Sequence, residues 1–302
     1  MYLLDIYMIQ NSLPPLVVIL GETATGKTSL AFDLAKRMNG EIICADSWTV
    51  RREVNIGTDK PTKKQQEEIE HHLINIVDPC QDFTAAVFKN LALFAIEDIY
   101  SRGKLPIMVG GSGLYIDSVI FNYKFLKAGD RKQRERLNDL STDELIQKIH
   151  QLNIPLRNNI DLNNKRRLIR VIESGGQVPK KSKLRENTLN VGLYLDKESH
   201  KKAIVDRVNQ MILEGLEQEV KNLSLNYGWN CEALKGVGYK QWEKYFNGQQ
   251  SLADTQLQIV SATNNLAKKQ RTWFQRNKSI HWLMQPVCID EVVDLVTTNL
   301  SI

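Results

Sequence analysis

Thiols are scarce in this 302-residue chain: there are four cysteines, Cys44, Cys80, Cys231 and Cys288, and no C-x-x-C pair. Spacing this wide excludes paired zinc ligands and a disulfide framework, so single reduced thiols are expected. No apolar run approaches the length of a membrane span. The segment Met1 to Ser12 carries Asp5 and no basic stretch, which argues against a signal peptide. Internal repeats and low-complexity tracts are missing too. A cytoplasmic protein with no membrane partner is expected. Strong charge of either sign is also lacking. The formal net charge of +5 permits a nucleic-acid partner without demonstrating one. With 42% hydrophobic and 25% charged residues, the chain can build a core and wholesale disorder is excluded.

What is present reads as an α/β protein. Leu16 to Leu20 is a short apolar run between Pro14-Pro15 and Gly21, as expected of a buried parallel strand. Thr28 to Met38 has a helical apolar period ended by Asn39-Gly40, and Glu41 to Ala45 reads as a second strand. A helix from Thr84 to Arg102 leads into a third strand, Leu105 to Val109. The order predicts a doubly wound parallel sheet of the P-loop NTPase kind, with its first part at residues 14–122. Residues 123–190 are highly charged, with two helical stretches, and are expected to form a helical insertion domain. Val191 to Leu195 then returns to the sheet, and residues 191–302 complete the core with helices over Lys201 to Leu225, Gly238 to Phe246 and Leu252 to Asn277.

The segment Gly21-Glu22-Thr23-Ala24-Thr25-Gly26-Lys27-Thr28 matches G-x-x-x-x-G-K-[ST] in full, after a strand and before a helix. Glycines let the backbone curl so that N–H groups face an anion, and the helix N-terminus adds positive potential. Lys27 supplies a mobile charge, and the Thr28 hydroxyl is a ligand for magnesium. The loop alone indicates a diphosphate or triphosphate, and ATP binding is the ordinary reading. Kinases of this type carry an Asp after a further apolar strand. Here Val109 runs into Gly110-Gly111, and Asp78, followed by Pro79, is a weak substitute.

Asp46-Ser47 follows the second strand, at the edge where ligands bind in open α/β sheets, and a carboxylate there can accept a proton. The run Ile42 to Ser47 with Asn55 to Pro61 resembles a signature of the tRNA isopentenyltransferase family. So do His71 to Pro79, Pro106 to Tyr115, Arg207 to Met211, Leu234 to Tyr239 and Ala267 to Phe274, in that order. The resemblance spans roughly residues 15 to 282. It implies transfer of a dimethylallyl group from dimethylallyl diphosphate to N6 of adenosine 37, in tRNAs reading codons that begin with U. It also implies Asp46 as the base, with Lys27, Thr23, Ser112 and Arg207 completing the catalytic set around the departing diphosphate. Ser112 stands where the family usually has Thr.

The same resemblance implies tRNA contacts at Asp46 to Thr49, Ser112, Arg134, Arg166, Arg167, Arg170, Lys235 and Tyr239, with Trp48 able to stack on a base. The basic residues Lys268, Lys269, Arg271, Arg276 and Lys278 are expected to form a face open to phosphates. Together these patches suit an anticodon arm gripped by a monomer, with the target base splayed from its stack. The chain departs from the family pattern at Glu22 (usually Pro), Thr49 (usually Gln), Arg51 (usually Tyr) and Ala203 (often Arg). It also has no clear Asp-Pro motif before Lys165. Other readings of the loop are a small-molecule kinase, a prenyltransferase acting on free adenine nucleotides, and a non-catalytic RNA adaptor.

Overall fold

The computed structural model describes residues 13–126, 129–156 and 160–301. Its strands are β1 (Leu16–Gly21), β2 (Gly40–Cys44), β3 (His71–His72), β4 (Leu105–Gly110), β5 (Thr188–Tyr194) and β6 (Ile280–Met284). All pair in parallel, in the order β3-β2-β4-β1-β5-β6. The helices are α1 (Lys27–Arg37), α2 (Lys63–Glu68), α3 (Ala85–Ser101), α4 (Gly113–Ile120), α5 (Arg131–Asp139), α6 (Thr142–Gln151), α7 (Lys165–Ser174), α8 (Lys197–Leu213), α9 (Leu216–Tyr227), α10 (Trp242–Phe246), α11 (Leu252–Phe274) and α12 (Ile289–Asn299). This is the α/β parallel sheet expected. No helix among the described residues is long and apolar enough to cross a membrane.

The chain divides into two compact units, 1–120 with 184–302, and 121–183. In the first, β1 is buried along its whole length because both faces of a parallel sheet are covered. Leu30, Ala31 and Leu34 of α1 and Val292 and Val296 of α12 join Val17 and Ile19 in one apolar cluster. The second unit has its own core of Leu137, Leu145, Ile149, Leu168, Ile169 and Ile172, drawn from α5, α6 and α7. Its described residues form three helices rather than two. Its boundaries fall earlier than 122 and 190 because Arg185 N bonds to Ile120 O and β5 already starts at Thr188.

Three other expectations change. The helix expected over Lys201 to Leu225 is two helices, parted at Gly215 with φ of +100°, where an L side chain is disfavoured. The mostly helical C-terminal region also carries a strand, β6, and a further helix, α12, that were not expected; β6 is an edge strand, only partly buried, and so lacks a strong apolar run. Finally, Cys80 and Cys231 are disulfide-bonded, their Cα atoms 4.7 Å apart across 151 residues of sequence. The fold sets these segments side by side, with Ala233 N donating to Pro79 O at 3.0 Å. Spacing along the chain could not show this. Only Cys44 and Cys288 are free.

Away from the carboxyl ends of the strands, the buried Glu41 of β2 accepts from Arg102 (2.5 and 2.7 Å), Lys104 (2.7 Å) and His72 (2.7 Å). Chiefly through the Arg102 guanidinium, its carboxyl is held well below the usual range. A depressed carboxylate pKa stabilises the fold above the unfolded value and loses that contribution as pH falls. Glu41→Gln is therefore expected to cost about 2 kcal/mol in urea unfolding at pH 7, discounted because Arg102 and Lys104 are partly exposed. Below pH 4 the difference from wild type should shrink. Equal losses at both pH values would refute it.

Candidate active site

Three loops meet at the carboxyl edge of β1, β2 and β4, where open α/β sheets place their ligands. The first, Gly21–Thr28, is shaped by residues in the left-handed region: Ala24 at φ 62° and Gly26 at φ 78°, the latter capping α1. Such residues let successive N–H groups turn toward one anion. At Gly21 a Cβ would lie 2.5 Å from Leu193 O, so nothing larger fits there. Thr25 Oγ1 donates to Glu22 O at 2.9 Å, and Lys27 Nζ donates to the same carbonyl.

The second loop follows β2. Asp46 Oδ1 accepts from Trp48 N at 2.8 Å and Thr49 N at 3.3 Å, so the carboxylate is fixed by the turn it caps. Thr49 Oγ1 lies 3.4 Å from Asp46 O, as a short side chain in this turn can. The third loop follows β4. Gly110 has no room for a Cβ, which would stand 2.1 Å from Ala45 O. That close approach lets Ser112 Oγ accept from Ser47 N at 3.0 Å and reach Ser47 Oγ at 3.3 Å. Second and third loops thus present Asp46, Ser47 and Ser112 together.

Helices close the site. From α8, Arg207 points in and meets Asp59 at 3.5 Å. From α11, Ile259, Thr263, Leu266, Gln270 and Trp273 recur at helical spacing and so share one face. Between loops and helices lies a cavity of about 590 Å³, within the range of small-ligand sites. Of the expected residues it is lined by Thr23, Lys27, Thr28, Asp46, Ser47, Trp48, Thr49, Ser112, Arg207 and Lys235.

Burial, reinforced by the Arg207 charge, pulls the Lys27 ammonium down to about 7, although Asp46 and Glu22 oppose the shift. An ammonium so poised gains from any anion brought beside it. Burial also lowers Lys60 to about 8, though it donates to Arg51 O and Asn75 Oδ1, each at 2.7 Å. Cys44 lines the same cavity, but burial pushes its thiol up to about 12, which disqualifies it as a thiolate nucleophile.

Several expected roles are changed by the structure. Tyr239 does not reach the cavity: it is fully buried and its hydroxyl donates to Glu219 Oε1 at 2.7 Å, so it is no RNA-contacting surface here. Glu219 in turn accepts from the backbone N–H groups of Asn55, Ile56 and Gly57, which fixes the segment that carries Asp59. Arg51 turns away from the cavity and donates to Pro79 O and Gln81 O. Arg271 leaves the basic face of α11 for Glu22, and Arg276 stacks on Trp273, 4.2 Å from the ring centre. Trp48 is held by its indole N–H on Ala233 O at 3.0 Å, so its ring is a fixed wall. Asp78 is exposed and paired with Arg52, away from Lys27.

In the second unit, Arg166 and Arg167 are exposed on α7. Arg134 and Arg170 share Glu173, at 2.6 Å and 3.4 Å, so both are already used inside that unit. Sequence reasoning overlooked Gln270, His200 and Glu219, which bind the backbone of loop segments more than 150 residues away in the chain.

The model of the IPP transferase family matches residues 49–277. The chain belongs to this family. It is 40% identical to the tRNA dimethylallyltransferase of Anoxybacillus flavithermus over 276 residues, covering 88% of this chain and 89% of that one. It is 38% identical to the tRNA dimethylallyltransferase of Bacillus cytotoxicus over 280 residues, again 88% and 89% of the two chains. Among solved structures, the full-length tRNA isopentenylpyrophosphate transferase of Bacillus halodurans superposes with a TM-score of 0.72 at 32% identity, covering 95% of each chain. The matched region starts at Thr49, so it takes in the third loop, α8 and all of α11, while Asp46, Ser47 and the Gly21–Thr28 loop precede it.

Proposed function

We propose that this chain is a tRNA dimethylallyltransferase that alkylates N6 of adenosine 37, and that the Gly21–Thr28 loop cradles the diphosphate of dimethylallyl diphosphate. The observation that carries the reading is the single cavity shared by Lys27, Asp46, Ser112 and Arg207. Its walls also include Val208 and Met211 from α8 and Ile259 and Leu266 from α11, apolar company suited to a five-carbon chain.

The chemistry follows from these groups. The N6 lone pair attacks C1 of the dimethylallyl group, the N6–C1 bond forms, and the C1–O bond breaks with its electron pair leaving on diphosphate. The N6 proton passes to the Asp46 carboxylate, which the turn at Trp48 and Thr49 holds in place. Lys27 and Arg207, with the loop N–H groups, meet the charge that grows on the leaving group. Ser112 orients the base or the diphosphate through its hydroxyl. For the base to arrive, it must leave the anticodon stack, and single-stranded loop bases do so at least cost.

Magnesium fits as a companion of the diphosphate rather than as a resident ion. The described residues contain no group of three His, Cys, Asp or Glu able to hold a metal. Thr28 lines the cavity and its hydroxyl is a hard oxygen donor, so it would hold magnesium together with phosphate oxygens and water. Bound there, the ion would supply charge neutralisation for the diphosphate.

The test is direct. Incubation with dimethylallyl diphosphate, magnesium and an anticodon stem-loop carrying three adenosines at positions 36 to 38 should add one five-carbon unit to the RNA by mass spectrometry. Consumption of ATP without that gain would refute the reading.

A further inference from the structure

The most unusual feature of the loop is Glu22. Its carboxylate lies in the first turn of a phosphate-type loop, where negative charge should repel the ligand, and yet it is almost completely buried, with 3% of the residue exposed. Both oxygens are engaged. Arg271 of α11 donates through Nε to Oε1 at 2.6 Å and through Nη2 to Oε2 at 2.8 Å, the paired geometry that a planar guanidinium makes with a carboxylate. His200 of α8 places Nδ1 3.3 Å from Oε2 while its Nε2 lies 2.9 Å from Thr23 O.

The neighbouring residues repeat the connection. Thr23 N donates to Gln270 Oε1 at 2.8 Å, and Gln270 Nε2 donates to Gly111 O at 3.1 Å. The peptide at Thr23 is therefore gripped at its N–H by α11 and at its carbonyl by α8. Gln270 also bridges the first loop to the third. None of these partners lies within 170 residues of the loop, so the arrangement is tertiary and not a local turn preference.

Charge explains why the bracket matters. The Glu22 carboxylate is close enough to act on Lys27, whose ammonium donates to the Glu22 carbonyl. Left without its partners, a buried carboxylate would be expelled toward water or would confront an incoming diphosphate, and either distorts the loop. With Arg271 in place the pair is close to neutral, and the loop can accept further negative charge.

We propose that Arg271 is a positioning residue that neutralises the buried Glu22 and, with His200 on the Thr23 carbonyl, holds the Gly21–Thr28 loop in the form that accepts a diphosphate. The bracket also ties that loop to α11, whose Gln270 and Trp273 face the cavity, so the phosphate site and the cavity wall move as one body. The inference rests on the diphosphate reading of the loop made above.

The experiment is a cycle of three variants, Arg271→Leu, Glu22→Gln and the two combined. Each is titrated with inorganic diphosphate and magnesium by calorimetry and assayed for transfer from dimethylallyl diphosphate. Arg271→Leu strands the carboxylate and should weaken diphosphate binding and raise the KM for dimethylallyl diphosphate at least about tenfold, while kcat changes by less than about threefold. Adding Glu22→Gln removes the stranded charge and should bring both back to within about threefold of wild type. Arg271→Leu with unchanged diphosphate affinity, or a double variant no better than the single one, overturns the proposal. A variant that only melts earlier, with affinity intact, overturns it as well, since that outcome is purely structural. Should the wild-type protein bind diphosphate and yet transfer no prenyl group, the proposed reaction fails while the binding arm still decides the role of Arg271.

Discussion

Asp46→Asn is expected to lower prenyl transfer by about 10²–10⁴-fold, the range of a lost general base. The choice of asparagine matters. Asp46 Oδ1 accepts from Trp48 N and Thr49 N, and an amide oxygen can take the same two hydrogen bonds. The turn therefore survives, and what disappears is the ability to receive the N6 proton. The loss should fall on kcat with the KM for dimethylallyl diphosphate changed by less than about threefold, since the diphosphate is met by other groups. Single-turnover rates on a stem-loop would measure this. Near-normal turnover in Asp46→Asn would mean that the residue is a turn cap and that the base lies elsewhere.

The second large effect concerns Lys27. Lys27→Met is expected to reduce kcat/KM for dimethylallyl diphosphate by about 10³-fold, because a charge aimed at the leaving group is removed. The same substitution should stabilise the ligand-free protein, and the sign follows from linkage. Burial lowers the Lys27 pKa in the folded chain from 10.5 to about 7. Between those values the unfolded chain binds more protons than the folded one, so wild-type stability rises with pH across that window. Below pH 7 the buried ammonium exerts its full destabilising effect. Lys27→Met should thus exceed wild type by about 2 kcal/mol at pH 6, and the gap should narrow toward pH 10. Ligand binding runs the opposite way. A diphosphate raises the Lys27 pKa, so wild-type affinity is fullest below about pH 7 and weakens as pH rises. Calorimetry in two buffers of different ionisation enthalpy should show proton uptake that Lys27→Met abolishes. Unfolding curves that stay superposed from pH 6 to pH 10 would refute the stability half of this prediction.

These two residues were legible before any fold was known, and the reason is local. Strand β1, the Gly21–Thr28 loop and α1 are contiguous, so apolar run, glycine spacing and helical period reinforce each other within some twenty residues. Asp46 and Ser112 were reachable by the same logic, because each follows a strand of the parallel sheet, and strand ends in such sheets share one edge. Arg207 needed the family resemblance, since an arginine on an amphipathic helix looks like any solvated charge.

Other residues misled for equally physical reasons. Tyr239 belongs to a block of family-like sequence, but its role is to bury a ring against Gly57 and to hold Glu219, which in turn fixes the Asn55–Gly57 backbone. Arg271 sits among basic residues of α11 and reads as part of a phosphate-facing stripe. Its actual partner is 249 positions away. Arg51 departs from the family pattern in the segment expected to face adenosine, yet its guanidinium is sequestered on the carbonyls of Pro79 and Gln81. The Cys80–Cys231 bridge was excluded by spacing arguments that know only distance along the chain.

By itself the sequence determined the class of fold, the phosphate-type loop, the carboxylate beside it and the membership of a transferase family. Each of these is written in short contiguous patterns, where backbone geometry and side-chain period act over a few residues. Tertiary structure decided which charges are available and which are spent. Glu22, an acidic residue with no evident place in such a loop, is neutralised by Arg271 and faced by His200 from two distant helices. That outcome depends on desolvation and pairing across the fold, and such terms are set only when the chain has closed around them.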